Sequence, residues 1–157
     1  MRMPFQVLVI PYRRTATGVE FTVLKRSDAD WWHFVAGGGE EGETPLETAR
    51  RETREEIGIT PRGQFLRLDS MATIPRHWFA AAASWPQEVY VVPEYAFAVE
   101  TGDAELTLSR EHTELRWLPY DQARKLLTWD SNRTALWELN ERLKSKEATP
   151  QAAPHDA

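Results

Sequence analysis

The chain has 157 residues, 41% of them hydrophobic and 11% aromatic, which suits one domain around one sizeable core. Its formal charge of -5 argues against a broad positive field gripping a nucleic-acid polymer. The absence of cysteine excludes disulfides, thiolate metal sites and cysteine nucleophiles, so any metal must sit on oxygen or imidazole, and a cytoplasmic setting is expected.

Phe5 to Tyr12 and Val19 to Lys25 read as two β-strands joined by a polar, glycine-containing turn at residues 13–18. The run from Phe5 to Ile10 is broken at Gln6 and stopped by Pro11, short of the roughly 18 apolar residues of a membrane span, so no membrane partner is expected. An aromatic run from Trp31 to Val35 leads to Gly37, Gly38 and Gly39, where a loop is expected to begin. Thr44 as N-cap, Pro45 at the first helical position, Glu47 completing a capping box and Gly58 past the end predict a helix from Pro45 to Ile57.

Gln64 to Met71 reads as a strand and residues 75–88, bounded by prolines, as a long loop. Tyr90 to Glu100 is a strand in which Tyr95, Phe97 and Val99 alternate with Glu94, Ala96, Ala98 and Glu100. Glu114 to Leu118 adds a strand, followed by a short helix near Asp121 to Leu127 and a last helix from Arg133 to Lys144 with Leu136, Leu139 and Leu143 on its buried stripe. Beyond it no large apolar side chain remains, so one domain over residues 1–144 and a disordered tail over 145–157 are expected.

The chemistry concentrates on the first helix. At 100° per residue, Glu52, Glu55 and Glu56 share one stripe, bordered by a core-facing stripe of Leu46, Ala49, Thr53 and Ile57. Like charges at these spacings cost about 0.2 to 0.5 kcal/mol per pair, and carboxylates near a helix C-terminus also oppose its dipole. Hard divalent cations offset that cost, since Mg²⁺ takes oxygen ligands and completes its shell with water and phosphate oxygens. The bland alternative is an exposed acidic helix paired with Arg50, Arg51 and Arg54.

Gly37, five residues, Glu43, seven residues, then Arg51-Glu52-Thr53-Arg54-Glu55-Glu56-Ile57-Gly58-Ile59 resembles the signature of the Nudix hydrolases, with Thr53 standing where an aliphatic residue is usual. The resemblance implies an α/β fold, an α/β/α sandwich with a central mixed β-sheet. It implies Glu52, Glu55 and Glu56 as metal ligands, the Gly37 carbonyl as a further one, Arg51 and Glu43 as a buried pair orienting the site, and Mg²⁺ as cofactor with Mn²⁺ as a substitute. Residues 108–118 and 129–133 resemble the bacterial dihydroneopterin triphosphate diphosphatase and dATP pyrophosphohydrolase branch, a likeness covering about residues 5–143. It carries Glu111 over as a further ligand or base. A weaker similarity points to asymmetric diadenosine tetraphosphate hydrolases.

The implied reaction is attack of water on a (deoxy)nucleoside or dihydroneopterin triphosphate, releasing pyrophosphate, with Glu55 and Glu111 both open as the base. The alternatives are a dinucleoside polyphosphate hydrolase and a non-catalytic nucleotide-binding module of the same family. The expected partner is a small nucleotide or pterin polyphosphate, and monomer and homodimer both remain open. Substrate contacts are sought at Lys25 and Arg26 for phosphate charge, at Trp31, Trp32, Trp78 and Trp85 for stacking, with Trp32 best placed before the glycines, and at His77, His112, Asn132 and Arg133. Each has a bland counterpart as core packing, a surface charge or a helix cap.

Overall fold

The computed structural model describes residues 1–148. Its strands are β1 (Arg2–Thr15), β2 (Gly18–Arg26), β3 (Trp32–His33), β4 (Val35–Glu40), β5 (Leu66–Pro75), β6 (Val91–Glu100) and β7 (His112–Leu118); its helices are α1 (Pro45–Ile57), α2 (Tyr120–Leu126) and α3 (Asp130–Ala148). They build one mixed seven-stranded sheet in the order β3-β2-β1-β6-β5, with β4 also on β1 and β7 also on β2. β1 runs parallel to β6 and antiparallel to β2 and β4.

β1 explains the layering. Val7 and Val9 point into a cluster with Ala49 and Ile57 of α1, whereas Leu8 and Ile10 point into a second cluster with Ala135, Leu136, Leu139 and Leu143 of α3. Successive side chains alternate across a strand, so one apolar run supplies two cores and the sheet is covered on both faces. Each fully buried aliphatic contributes about 1.5 to 3 kcal/mol. The expected α/β/α sandwich around a mixed sheet is the observed architecture.

Several boundaries differ from the sequence reading. The three glycines lie in β4, not in a loop, because that segment pairs with β1 from Arg2 to Val9; this pairing carries β1 back to Arg2, and pairing with β2 carries it forward to Thr15. Residues 75–88 hold the end of β5 and two 3₁₀ turns, Arg76–Trp78 and Ala80–Ser84, tied together by the Arg76 guanidinium on the Pro86, Val89 and Ala82 carbonyls. α3 begins at Asp130 and runs to Ala148, so residues 145–148 are helical; the rest of the expected tail lies outside the described residues. The i,i+4 pair of Glu138 with Arg142 supports the helix, and Glu138 also accepts from the Asp69 and Ser70 amides.

Among the described residues no helix is long and apolar enough to cross a membrane.

Candidate active site

α1 starts and stops as its residues dictate. The Thr44 side chain accepts from the Glu47 amide at 3.2 Å, and the Glu47 side chain accepts from the Thr44 amide at 3.1 Å. At the other end Gly58 takes a left-handed φ of 71° and donates its amide to the Arg54 carbonyl. Thr53, the departure from the signature, is fully buried and donates its hydroxyl to the Ala49 carbonyl at 2.7 Å, so its polar atom is satisfied inside the helix.

The three glutamates separate by burial. Glu52 is 6% exposed and Glu56 2% exposed, while the Glu55 side chain is 56% exposed. Glu52 lies directly over Gly37: a Cβ there would stand 2.1 Å from the Glu52 Cδ, so only glycine leaves room for the carboxylate. Glu56 Oε2 accepts from the Ala36 amide at 3.1 Å, but its Oε1 is buried without a hydrogen-bond partner, 3.5 Å from His112 Nε2. Burial, reinforced by the negative charge of Glu52, pushes the Glu56 carboxyl up to about 9; burial also raises Glu52, against the pull of Arg51.

Arg51 organises this edge. Its guanidinium donates to Glu43 Oε2 at 2.8 Å and Oε1 at 2.9 Å, to the Gly38 carbonyl at 2.9 Å, to Glu52 at 2.8 Å and to Glu55 at 3.2 Å. Glu43 also accepts from the Glu40 amide and the Thr48 hydroxyl, and the Arg51 hydrogen bonds lead these in holding its carboxyl down to about 2. The pair is partly buried, with 17% and 18% of the side chains exposed. The bland expectation of arginine pairing therefore holds for Glu52 and Glu55 and fails for Glu56. Among the described residues, no three acidic or histidine side chains already stand in a metal-holding arrangement.

The donor set nonetheless fits a hard divalent cation. Glu52 and Glu56 present buried carboxyl oxygens, one of them with no partner, and Glu52 lies against the Gly37 backbone. An unpartnered carboxylate at this depth is costly until a cation or proton meets it.

Opposite the helix, the Ser109 amide binds the Glu56 carbonyl and the Ser27 amide binds the Glu111 carbonyl, which brings the segment before β7 to the site. Glu111 is exposed, with one oxygen 3.9 Å from the Arg26 guanidinium. Sequence reasoning missed His33. Its Nε2 lies 3.1 Å from His112 Nε2, so one ring donates and the other accepts. Burial pushes both imidazoles down, His33 to about 3 and His112 to about 4, and both are neutral near pH 7. These residues are 79 positions apart, and β2 joins them by pairing with β3 at Leu24 and His33 and with β7 at Arg26 and His112.

A cleft of about 730 Å³ is lined by Arg26, His33 and Ala36 together with Trp31, Trp78 and Trp129, and the Arg26 amide donates to the Trp31 carbonyl at 3.0 Å. Asn132 lines it, with Oδ1 accepting from the Phe34 amide at 3.1 Å, as does Glu94, which sequence reasoning had placed only on a strand face. Trp32 does not line the cleft; it is buried in the core with the Arg116 guanidinium 4.7 Å from its ring, and Trp31, the residue before β3, lines the cleft instead. Trp85 is likewise buried, donating its indole N–H to the Arg2 carbonyl. Lys25 faces Asp30, Arg133 is held by Asp130 and the Leu127 carbonyl, and His77 is exposed beside Trp78; none of the three lines the cleft.

Residues 4–137 match the NUDIX domain family. The chain is 36% identical over 124 residues to an asymmetrical bis(5'-nucleosyl)-tetraphosphatase of Rattus norvegicus, covering 78% of this chain and 79% of that protein. It is 29% identical over 143 residues to the dihydroneopterin triphosphate diphosphatase of Escherichia coli, covering 86% and 91%. A crystal structure from Listeria monocytogenes described as a NUDIX hydrolase superposes with a TM-score of 0.83 at 50% identity, covering 92% of this chain and 97% of that one. With the signature glutamates gathered beside Gly37 and these likenesses spanning most of the sequence, the chain belongs to the NUDIX family of phosphoanhydride hydrolases, which act on nucleoside-diphosphate derivatives.

Proposed function

We propose that this chain hydrolyses a (deoxy)nucleoside or dihydroneopterin triphosphate, releasing pyrophosphate, with Mg²⁺ as cofactor and Mn²⁺ as a substitute, in the cytoplasm. The observation that carries the reading is the buried, unpartnered Oε1 of Glu56 beside Glu52 over Gly37. Glu52 and Glu56 hold the cation, with Glu55, the Gly37 carbonyl and Glu111 available to complete its shell. When bound, Mg²⁺ neutralises phosphate charge and acidifies water. Water then attacks phosphorus in line and the phosphoanhydride P–O bond breaks. Glu55 and Glu111 are both exposed enough to take the proton, and Arg26, which lines the cleft 3.9 Å from Glu111, is available to phosphate charge. Arg51 and Glu43 act as positioning residues, fixing Glu52.

A second reading, cleavage of a dinucleoside polyphosphate, is favoured by the identity to the rat tetraphosphatase. The full set of signature glutamates argues against a non-catalytic module. A panel of dGTP, dATP, dihydroneopterin triphosphate and diadenosine tetraphosphate, assayed with and without Mg²⁺, separates the readings. The first predicts Mg²⁺-dependent pyrophosphate release from a triphosphate. The second predicts two nucleotide products and no pyrophosphate, and inertness toward all four would overturn both.

A further inference from the structure

Part of the cleft wall is aromatic. Trp31, Trp78 and Trp129 contact one another there, with ring centroids 5.2 to 6.4 Å apart. Trp31 and Trp78 nevertheless remain 36% and 55% exposed. Three indoles held together at an open mouth offer flat apolar surface to a planar ring, a more specific use of exposed aromatic area than solubility requires.

The polar groups along the wall are mostly committed. Asn132 accepts from Phe34, Asp130 holds Arg133, Arg26 holds Asp28 and His33 meets His112. Glu94 differs. It is 8% exposed, lines the cleft and has no ion-pair partner among the described residues; a hydrogen bond from Ser131 is what favours its charged form. Burial pushes its carboxyl up to about 7. Ser131 stands in the first turn of α3, so the helix N-terminus adds to the preference for an anion at this place. Above about pH 7, where it is ionised, the carboxylate keeps about four acceptor positions and donates nothing, so most of its capacity remains for a ligand.

Register sets the span. Ala36, whose amide binds Glu56, is paired with Leu8, and Leu8 is paired with Ala96, two residues beyond Glu94 on β6. Two strand spacings and two residues of rise put the α-carbons of Ala36 and Glu94 about 12 Å apart. That is the length scale of a ring, its sugar or side chain, and the first phosphates.

We infer that the tryptophan-lined part of the cleft is a ring-binding subsite in which Glu94 selects heterocycles carrying a 2-amino-4-oxopyrimidine edge, shared by guanine and pterins. That edge presents a ring N–H beside an exocyclic amino group, two adjacent donors that match the two oxygens of a carboxylate. Adenine presents one donor beside one acceptor and leaves a carboxylate oxygen facing a ring nitrogen lone pair. Glu94 is thus a specificity-determining residue, and the inference rests on the function proposed above in directing the phosphates of the same ligand toward Glu52 and Glu56.

Calorimetric titration without divalent metal tests the subsite apart from catalysis. GMP is expected to bind at least about 10-fold more tightly than AMP or than IMP, which lacks the amino donor, as a bidentate edge contact requires. Neopterin forms a separate arm, and the tighter of it and guanosine names the source of the ring. Glu94→Gln, which exchanges one acceptor for a donor, is expected to bring GMP and AMP within about 3-fold of each other. Equal binding of GMP and IMP, tighter binding of AMP, no binding by any of them, or an unchanged preference in a folded Glu94→Gln chain would overturn the inference. If that variant does not fold, the comparison of GMP with IMP in the wild-type chain decides. Preference for GMP in a chain that hydrolyses no phosphoanhydride would sink the proposed function and leave the subsite standing; hydrolysis without the preference would do the reverse.

Discussion

Gly37→Ala puts the geometry of the carboxylate site to a direct test. The added methyl would stand 2.1 Å from the Glu52 Cδ and 2.3 and 2.5 Å from its two oxygens, so the carboxylate must retreat by about 1.3 Å to reach ordinary contact at 3.4 Å. The moving atoms are the end of a flexible side chain, which puts the stability cost near the low end of overpacking, about 1 kcal/mol. The same retreat pulls Glu52 from its 2.8 Å bond with Arg51 and, on the proposed function, from the cation it would hold, and a 1 Å misplacement of a group that positions the reaction costs about 100-fold in rate. Gly39→Ala is the matched control, because its Cβ would meet the Phe5 ring at 2.0 Å, in the core beneath α1. Melting curves and kcat/KM measured on both variants should show Gly37→Ala folded and about 100-fold impaired, and Gly39→Ala destabilised with its folded fraction active. Wild-type kcat/KM in Gly37→Ala, or a loss matching only its unfolded fraction, would refute the reasoning.

Glu56→Gln removes a carboxyl whose burial pushes it up to about 9, so in metal-free buffer it should raise Tm increasingly as pH rises toward 9, where the wild-type carboxyl loses its proton, while lowering kcat by at least about 100-fold; a Tm gap that does not grow with pH would contradict the burial cost assigned to that oxygen. Replacing Arg51 with Ala leaves Glu43 and Glu52 without their shared cation and should cost about 2 to 4 kcal/mol in denaturant unfolding, and a loss below about 0.5 kcal/mol would make the pair ornamental. Trp78→Ala should raise KM by about 10-fold with little change in kcat or Tm, since the ring is largely exposed; unchanged KM would remove it from the substrate path. Glu94 titrates near 7 in the folded chain against an ordinary 4.5, so folding binds its proton more tightly. The stability it allows is complete below about 4.5 and is lost as pH rises to about 7, by about 3 kcal/mol. Glu94→Gln should lack that decline, and a pH-independent gap in stability between the two chains would contradict the burial of the carboxyl.

What was legible in the sequence was local. Thr44, Pro45, Glu47 and Gly58 marked α1 at both ends because capping is chemistry among residues a few positions apart. The stripe of Glu52, Glu55 and Glu56 was equally readable, though not its gradation, since burial of Glu56 against exposure of Glu55 depends on where β4 and β7 pack. Gly37, Gly38 and Gly39 showed that something approaches the backbone closely. That the approaching groups are Glu52, Arg2 and Phe5, and that the segment is a strand, follows from pairing with β1 some 30 residues earlier. Trp31 and Trp32 are neighbours of which only Trp32 belongs to the two-residue β3, too short for alternation to reveal which faces the cleft. Glu94 carried a signal that could have been used: a carboxylate sharing a strand face with Ala96 and Ala98, on a sheet buried on both sides, must meet either a partner or a ligand.

The most direct measurement is anomalous diffraction from crystals grown with Mn²⁺ and a non-hydrolysable triphosphate analogue. Manganese density against the Glu52 and Glu56 carboxylates, bridging to phosphate oxygens, is the predicted result. Phosphates bound elsewhere, with those two carboxylates carrying no manganese, would contradict the account.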